Sequence, residues 1–116
     1  MYTFPTMKKL QITTPELKKM LEEGRKVVLL DVREAYEHEQ SNIGGVPMPL
    51  NQLRRRFREL DADQEIVVYC TRGNRSAYAA NFLAQRGFKK VRTLVGGLKD
   101  WPLQSAPVFD PKDPLR

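Results

Sequence analysis

The sequence predicts an α/β domain of three layers, α/β/α, with helices on both faces of a mainly parallel sheet of about five strands. Three observations lead there. Two apolar runs, KVVLLD at residues 26–31 and EIVVYC at 65–70, are too continuous for half-exposed strands and read as strands buried on both faces. Segments with helical spacing alternate with them. The chain has 116 residues, 41% hydrophobic and 29% charged, enough for one core and too few for two.

Taken in order, residues 8–12 form a short first strand. Thr14, Pro15 and Glu16 then read as N-cap, first-turn proline and first-turn acid of a helix through Leu17, Met20 and Leu21, which Gly24 ends. The strand at 26–31 follows, then a short helix at 34–39 and a small strand at 46–49 beside Gly44 and Gly45. Leu50, Leu53, Phe57 and Leu60 recur at helical spacing and predict a helix over 50–60. After the polar turn DADQE comes the strand at 65–70 and a helix over 76–86. Its alanines suit close packing on a sheet, and Gly87 ends it. A last strand at 91–95 leads into Gly96, Gly97 and a short helix carrying Trp101. Residues 1–7 are an N-terminal segment, 8–103 the domain, and 104–116 an extended proline-containing tail.

Twenty Lys and Arg against fourteen Asp and Glu leave a net charge of +6. The densest cluster, Arg54, Arg55, Arg56 and Arg58, occupies the polar faces of the 50–60 helix. No aromatic residues interleave with it and no recognition motif accompanies it, so it reads as a solvated face, with no nucleic-acid partner. The apolar runs fall far short of the roughly 20 residues of a membrane helix. The start, MYTFPTMKKLQ, lacks the pattern of a secretory signal. The expectation is a cytoplasmic domain without a membrane partner. Cys70 is the single cysteine, which excludes an internal disulfide and a multi-cysteine metal site. The single histidine, His38, stands among carboxylates in EAYEHEQ and reads as a surface residue, so no metal ligand is expected.

Chemistry concentrates in Cys70-Thr71-Arg72-Gly73-Asn74-Arg75-Ser76. A thiol closes a buried strand, and a short loop and a helix start come directly after it. Such a place offers unpaired backbone N–H groups and the positive end of a helix dipole to whatever sits at the sulfur. Gly73 lets the loop curl, and Arg72 and Arg75 add fixed positive charge. Comparable surroundings lower a cysteine pKa from about 8.5 to roughly 3.5–7.5. Cys70 can also be a small apolar residue that ends a core strand. Its position at a strand terminus, the nearby arginines and the helix start favour a reactive, anion-binding cysteine. Asp31 ends a strand at the same sheet edge, where functional groups gather in parallel α/β folds.

Four separated segments resemble the single-domain rhodaneses, which are sulfurtransferases. Asp31-Val32-Arg33-Glu34 with Glu37 is similar to the family's DVRE-type segment. Asn42-Ile43-Gly44-Gly45-Val46 with Pro49-Leu50 is similar to its GHIPGA…IPL segment, with Asn42 for the usual histidine and Gly44 for the usual proline. The segment from Cys70 to Ser76 resembles its CRxGxRS loop, and Gly96-Gly97-Leu98 with Trp101 its GG…W segment. The resemblance spans about residues 8–103 and implies the rhodanese-like three-layer fold.

It also implies a sulfur shuttle. Cys70 takes the outer sulfur of a small anionic donor such as thiosulfate as a persulfide, then yields it to an external thiol, to cyanide or to a protein acceptor. Thr71, Arg72, Gly73, Asn74, Arg75 and Ser76 form the substrate cradle, with no metal or organic cofactor. Asp31 and Arg33 support the wall of the site, and Arg33 and Glu37, four apart, are placed to form an ion pair. Two rivals stand beside it. A phosphatase or arsenate reductase would use a cysteine-arginine loop, but five residues separate the two in the related cell-cycle phosphatases and four do here. Those enzymes usually carry histidine where Tyr69 stands. A non-catalytic rhodanese-like interaction module is the other, and such domains often lack the cysteine.

Overall fold

The computed structural model describes residues 8–101. Five strands, β1 (Gln11–Ile12), β2 (Val28–Asp31), β3 (Val46–Pro47), β4 (Ile66–Tyr69) and β5 (Val91–Leu94), form one sheet in the order β1-β5-β4-β2-β3. Every neighbouring pair is parallel. The helices between them are α1 (Thr14–Glu22), α2 (Ala35–Gln40), α3 (Leu50–Arg56) and α4 (Asn74–Ala84).

Alternation along the central strands builds two cores. Side chains of a strand point to opposite faces in turn. On one face Leu30, Ile66, Val68, Cys70 and Val91 pack with Leu53 of α3 and Ala79, Ala80 and Leu83 of α4. On the other Leu29, Val67, Tyr69 and Leu94 pack with Leu17 and Met20 of α1, Ile43 and Trp101. β4 is buried at every position, as its unbroken apolar run requires. Each fully buried aliphatic side chain contributes about 1.5–3 kcal/mol relative to exposure. The three-layer α/β/α architecture is the one expected.

Several boundaries differ from expectation. Lys8–Leu10 is a 3-10 turn, and only Gln11–Ile12 pairs in the sheet. The N-cap of α1 is Thr13, not Thr14. Its hydroxyl accepts from the Glu16 N–H at 3.3 Å while the Glu16 carboxylate accepts from the Thr13 N–H at 2.8 Å, a reciprocal capping box. The α3 helix stops at Arg56 and tightens into a 3-10 turn, Phe57–Glu59, across which Arg56 pairs with Glu59 at 3.0 Å. α4 starts at Asn74, two residues before the expected Ser76, because Gly73 turns the chain at φ +100° directly into the helix. The N-terminal segment 1–7 and the tail 104–116 lie outside the described residues.

Candidate active site

Cys70 follows the last residue of β4 and is 1% exposed. Its sulfur accepts the N–H of Gly73 at 3.1 Å and of Ser76 at 3.3 Å. The early start of α4 makes this possible. Ser76 falls in the first helical turn, where N–H groups have no intrahelical partner and point out of the helix end. Behind the sulfur runs a chain of hydroxyls. Cys70 Sγ lies 3.4 Å from Ser76 Oγ, and Ser76 Oγ accepts from the Thr93 hydroxyl at 2.7 Å and donates to the Gly73 carbonyl at 3.2 Å. Thr93 is buried on β5, so this relay ties the loop to the neighbouring strand.

The loop is braced from below. The N–H groups of Leu98 and Lys99 donate to the carbonyls of Cys70 and Thr71 at 2.9 and 3.0 Å. This close approach needs glycine at position 97, whose φ is +62°. A Cβ there would strike the same two carbonyls. The Gly96-Gly97 segment thus supports the cysteine loop directly.

Asp31 and Arg33 form a buried pair at the end of β2. The Arg33 guanidinium donates to both Asp31 oxygens at 2.8–3.2 Å and to the Ser41 carbonyl at 2.6 Å. Burial opposes its charge, but the hydrogen bond with Asp31 prevails and raises its pKa. The expected Arg33–Glu37 ion pair does not form, because Arg33 turns inward. His38 is no free surface residue. It is 18% exposed with Nδ1 2.7 Å from Asp31 Oδ2, a contact between a strand end and a helix that spacing does not reveal. The Tyr69 phenol donates to the Gly44 carbonyl at 2.9 Å, and burial pushes its pKa well above the usual range. Asn42 accepts from the Gly44 N–H and donates to the His38 carbonyl, both at 2.8 Å. The two unusual residues of that loop are therefore held by hydrogen bonds.

Glu37 instead reaches Arg75, at 2.8 and 3.2 Å, and the Thr71 hydroxyl at 3.4 Å. Hydrogen bonding to Arg75 is the main reason its carboxyl is held down to about 2; burial works against it, and the Glu34 N–H–side contact and the charges of Arg75 and Arg33 add to the lowering. With Cys70, Thr71, Arg72, Asn74 and Arg75, Glu37 lines an opening of about 360 Å³. Arg72 is exposed on this rim. Five of the seven expected loop residues line this opening, Gly73 and Ser76 contact the Cys70 sulfur, and Asp31 and Arg33 pair with each other at the end of β2. Glu37, His38 and Thr93 were outside the expected site set. A larger groove, about 700 Å³ between α1 and the end of β5, is lined by residues from Thr13 to Glu22 with Val95 and Asp100, and Cys70 is not among them.

A parallel sheet that sets a cysteine beneath loop amides defines an α/β domain built around a cysteine loop. The chain belongs to the rhodanese family: the model of the rhodanese-like domain matches residues 13–104. It is 37% identical over 92 residues to the putative sulfur carrier protein YrkF of Bacillus subtilis, covering 78% of this chain and 50% of that one. It is 30% identical over 103 residues to a sulfurtransferase of Allochromatium vinosum, covering 88% and 96% of the two chains. The solution structure of the rhodanese-like domain of the Anabaena protein Alr3790 superposes with a TM-score of 0.75 at 31% identity, over 84% of this chain and 76% of that one. The chain spans half the length of the Bacillus protein. Among the described residues no helix is long and apolar enough to cross a membrane.

Proposed function

We propose that the protein moves a sulfane sulfur from thiosulfate, or a similar small anion, to an external thiol or cyanide through a persulfide on Cys70. The Cys70 thiolate attacks the outer sulfur of thiosulfate. The S–S bond of the donor breaks and sulfite leaves with its electron pair, so charge and atoms balance. An acceptor then takes the outer sulfur and Cys70 departs as thiolate. The observation that carries this reading is the pair of N–H groups, Gly73 and Ser76, aimed at one sulfur. Oriented amides stabilise an anion at that point without reorganising.

The rim fits the donor. Arg72 has no ion pair among the described residues and offers its full charge to an incoming anion, while Arg75 shares its charge with Glu37. Ser76 donates its single hydroxyl proton to the Gly73 carbonyl, and its oxygen accepts from the Cys70 thiol. When the sulfur is anionic that proton can turn to it, while Thr93 continues to donate to the serine oxygen. With one cysteine in the chain, the persulfide has no internal thiol to resolve it, so the sulfur leaves to another molecule.

The test is direct. Mixed with thiosulfate and weighed by intact mass spectrometry, the protein gains one sulfur atom, and Cys70→Ser gains none. An unchanged mass, with hydrolysis of an aryl phosphate instead, selects the phosphatase reading.

A further inference from the structure

A second opening, between α3 and α4, has no part in this chemistry yet lies beside it. Leu50, Leu53, Arg54, Arg55, Tyr78 and Phe82 line about 540 Å³ there. Asn74, on the rim of the cysteine opening, and Tyr78 are four residues apart on α4, hence on one face and about 6 Å apart along the axis. α3 begins at the same edge of the sheet, where the Leu50 N–H donates to the Val32 carbonyl at 3.0 Å, just beyond the end of β2. The groove therefore leads away from the mouth of the cysteine site.

Its charge is one-sided. Arg25, Arg33, Arg56, Arg75 and Arg92 each pair with a carboxylate. Arg58 and Arg86 lie over aromatic rings. Among the described arginines that leaves Arg54, Arg55 and Arg72 with neither, and all three are exposed. Two line the groove and the third stands on the rim of the mouth. Tyr78, 45% exposed, adds an aromatic surface of the kind that anchors interfaces.

We propose that this groove docks the sulfur acceptor, and that the acceptor is an acidic protein segment bearing a thiol. The inference rests on the persulfide reading above. The acceptor thiolate attacks the outer sulfur of the Cys70 persulfide, the bond to Cys70 Sγ breaks, and Cys70 leaves as thiolate. The sulfur stays on the acceptor, and no oxidant is consumed. Unneutralised cations along the approach raise the encounter rate with an anionic partner and select against a basic one.

Protein loaded with thiosulfate and freed of excess donor is mixed with a peptide of one cysteine and a run of glutamates, or with its all-glutamine counterpart. At low ionic strength the acidic peptide should take up sulfur about tenfold faster, an advantage that salt erodes. Arg54→Glu/Arg55→Glu should load normally, lose that advantage and serve the glutamine peptide as before. Lys89→Glu/Lys90→Glu changes net charge equally at the far, amino end of β5 and should keep the preference. Normal loading with no acidic preference in the parent overturns the docking surface alone. So does a preference that survives Arg54→Glu/Arg55→Glu or disappears equally in the lysine variant. A parent that never loads sulfur overturns the reading beneath it, and the docking proposal with it.

Discussion

Glu37 shows how one side chain sets the charge of the candidate site. It ties Arg75 down, and Arg72 on the rim has no ion pair among the described residues. Its carboxyl is held near 2, against 4.5 for the free group, chiefly by its hydrogen bond to Arg75. A group whose folded pKa lies below its unfolded one stabilises the fold fully above the unfolded value, and that contribution fades as pH falls to the folded value. The partly exposed pair contributes about 1 kcal/mol after solvent screening. Urea unfolding should therefore find Glu37→Gln less stable than the parent by about that amount at neutral pH. The gap should close between pH 4.5 and about 2. A gap independent of pH would contradict the linkage. Spacing alone pointed Glu37 at Arg33, its neighbour on the chain. The partner it finds is 38 residues away and could be reached only once β2 and β4 lay side by side.

At the level of elements, the cysteine loop depends on the turn beneath it. Gly97→Ala forces a Cβ against the Cys70 and Thr71 carbonyls at a positive φ. It should cost about 1–3 kcal/mol and slow sulfur loading from thiosulfate. Gly87→Ala is the matched comparison, with φ +92° and nothing within 4 Å of the added carbon. It should pay in backbone strain but load sulfur at the parental rate. Equal loading by both variants would remove the turn from the site. Much at this scale was legible beforehand. The EIVVYC run announced a strand buried on both faces and placed Cys70 at its end, and the glycine-containing loop after it marked the site. The start of α1 was misplaced although its signal was present, since Thr13 lies three residues before Glu16 and Thr14 only two. The bracing by Leu98 and Lys99 was not legible, because backbone hydrogen bonds between distant segments leave no side-chain pattern.

For the molecule as a whole, the two-sided core follows from alternation on β2 and β4, and its cost can be tested apart from the chemistry. Leu30 is fully buried at the centre of the α3–α4 face. Leu30→Ala should lower unfolding stability by about 2–5 kcal/mol. The molecules that remain folded should still take up one sulfur from thiosulfate, since no loop contact is lost. A loss below about 1 kcal/mol would mean that this face is not close-packed. The five-strand count and the parallel sheet were both readable from the order of runs and helices. The pairing of β1 with β5 was not, because β1 is two residues long and sends almost no hydrophobic signal of its own.

That pairing has a consequence for synthesis. The first strand meets its partner 82 residues later, Gln11 opposite Thr93, and the carbonyls of Cys70 and Thr71 wait for amides at 98 and 99. Translation runs from the amino end, so Cys70 and the loop after it are made before the amides that brace them. A nascent chain halted before position 98 would thus contain the Gly73 and Ser76 N–H groups that face the sulfur and lack the brace beneath their loop.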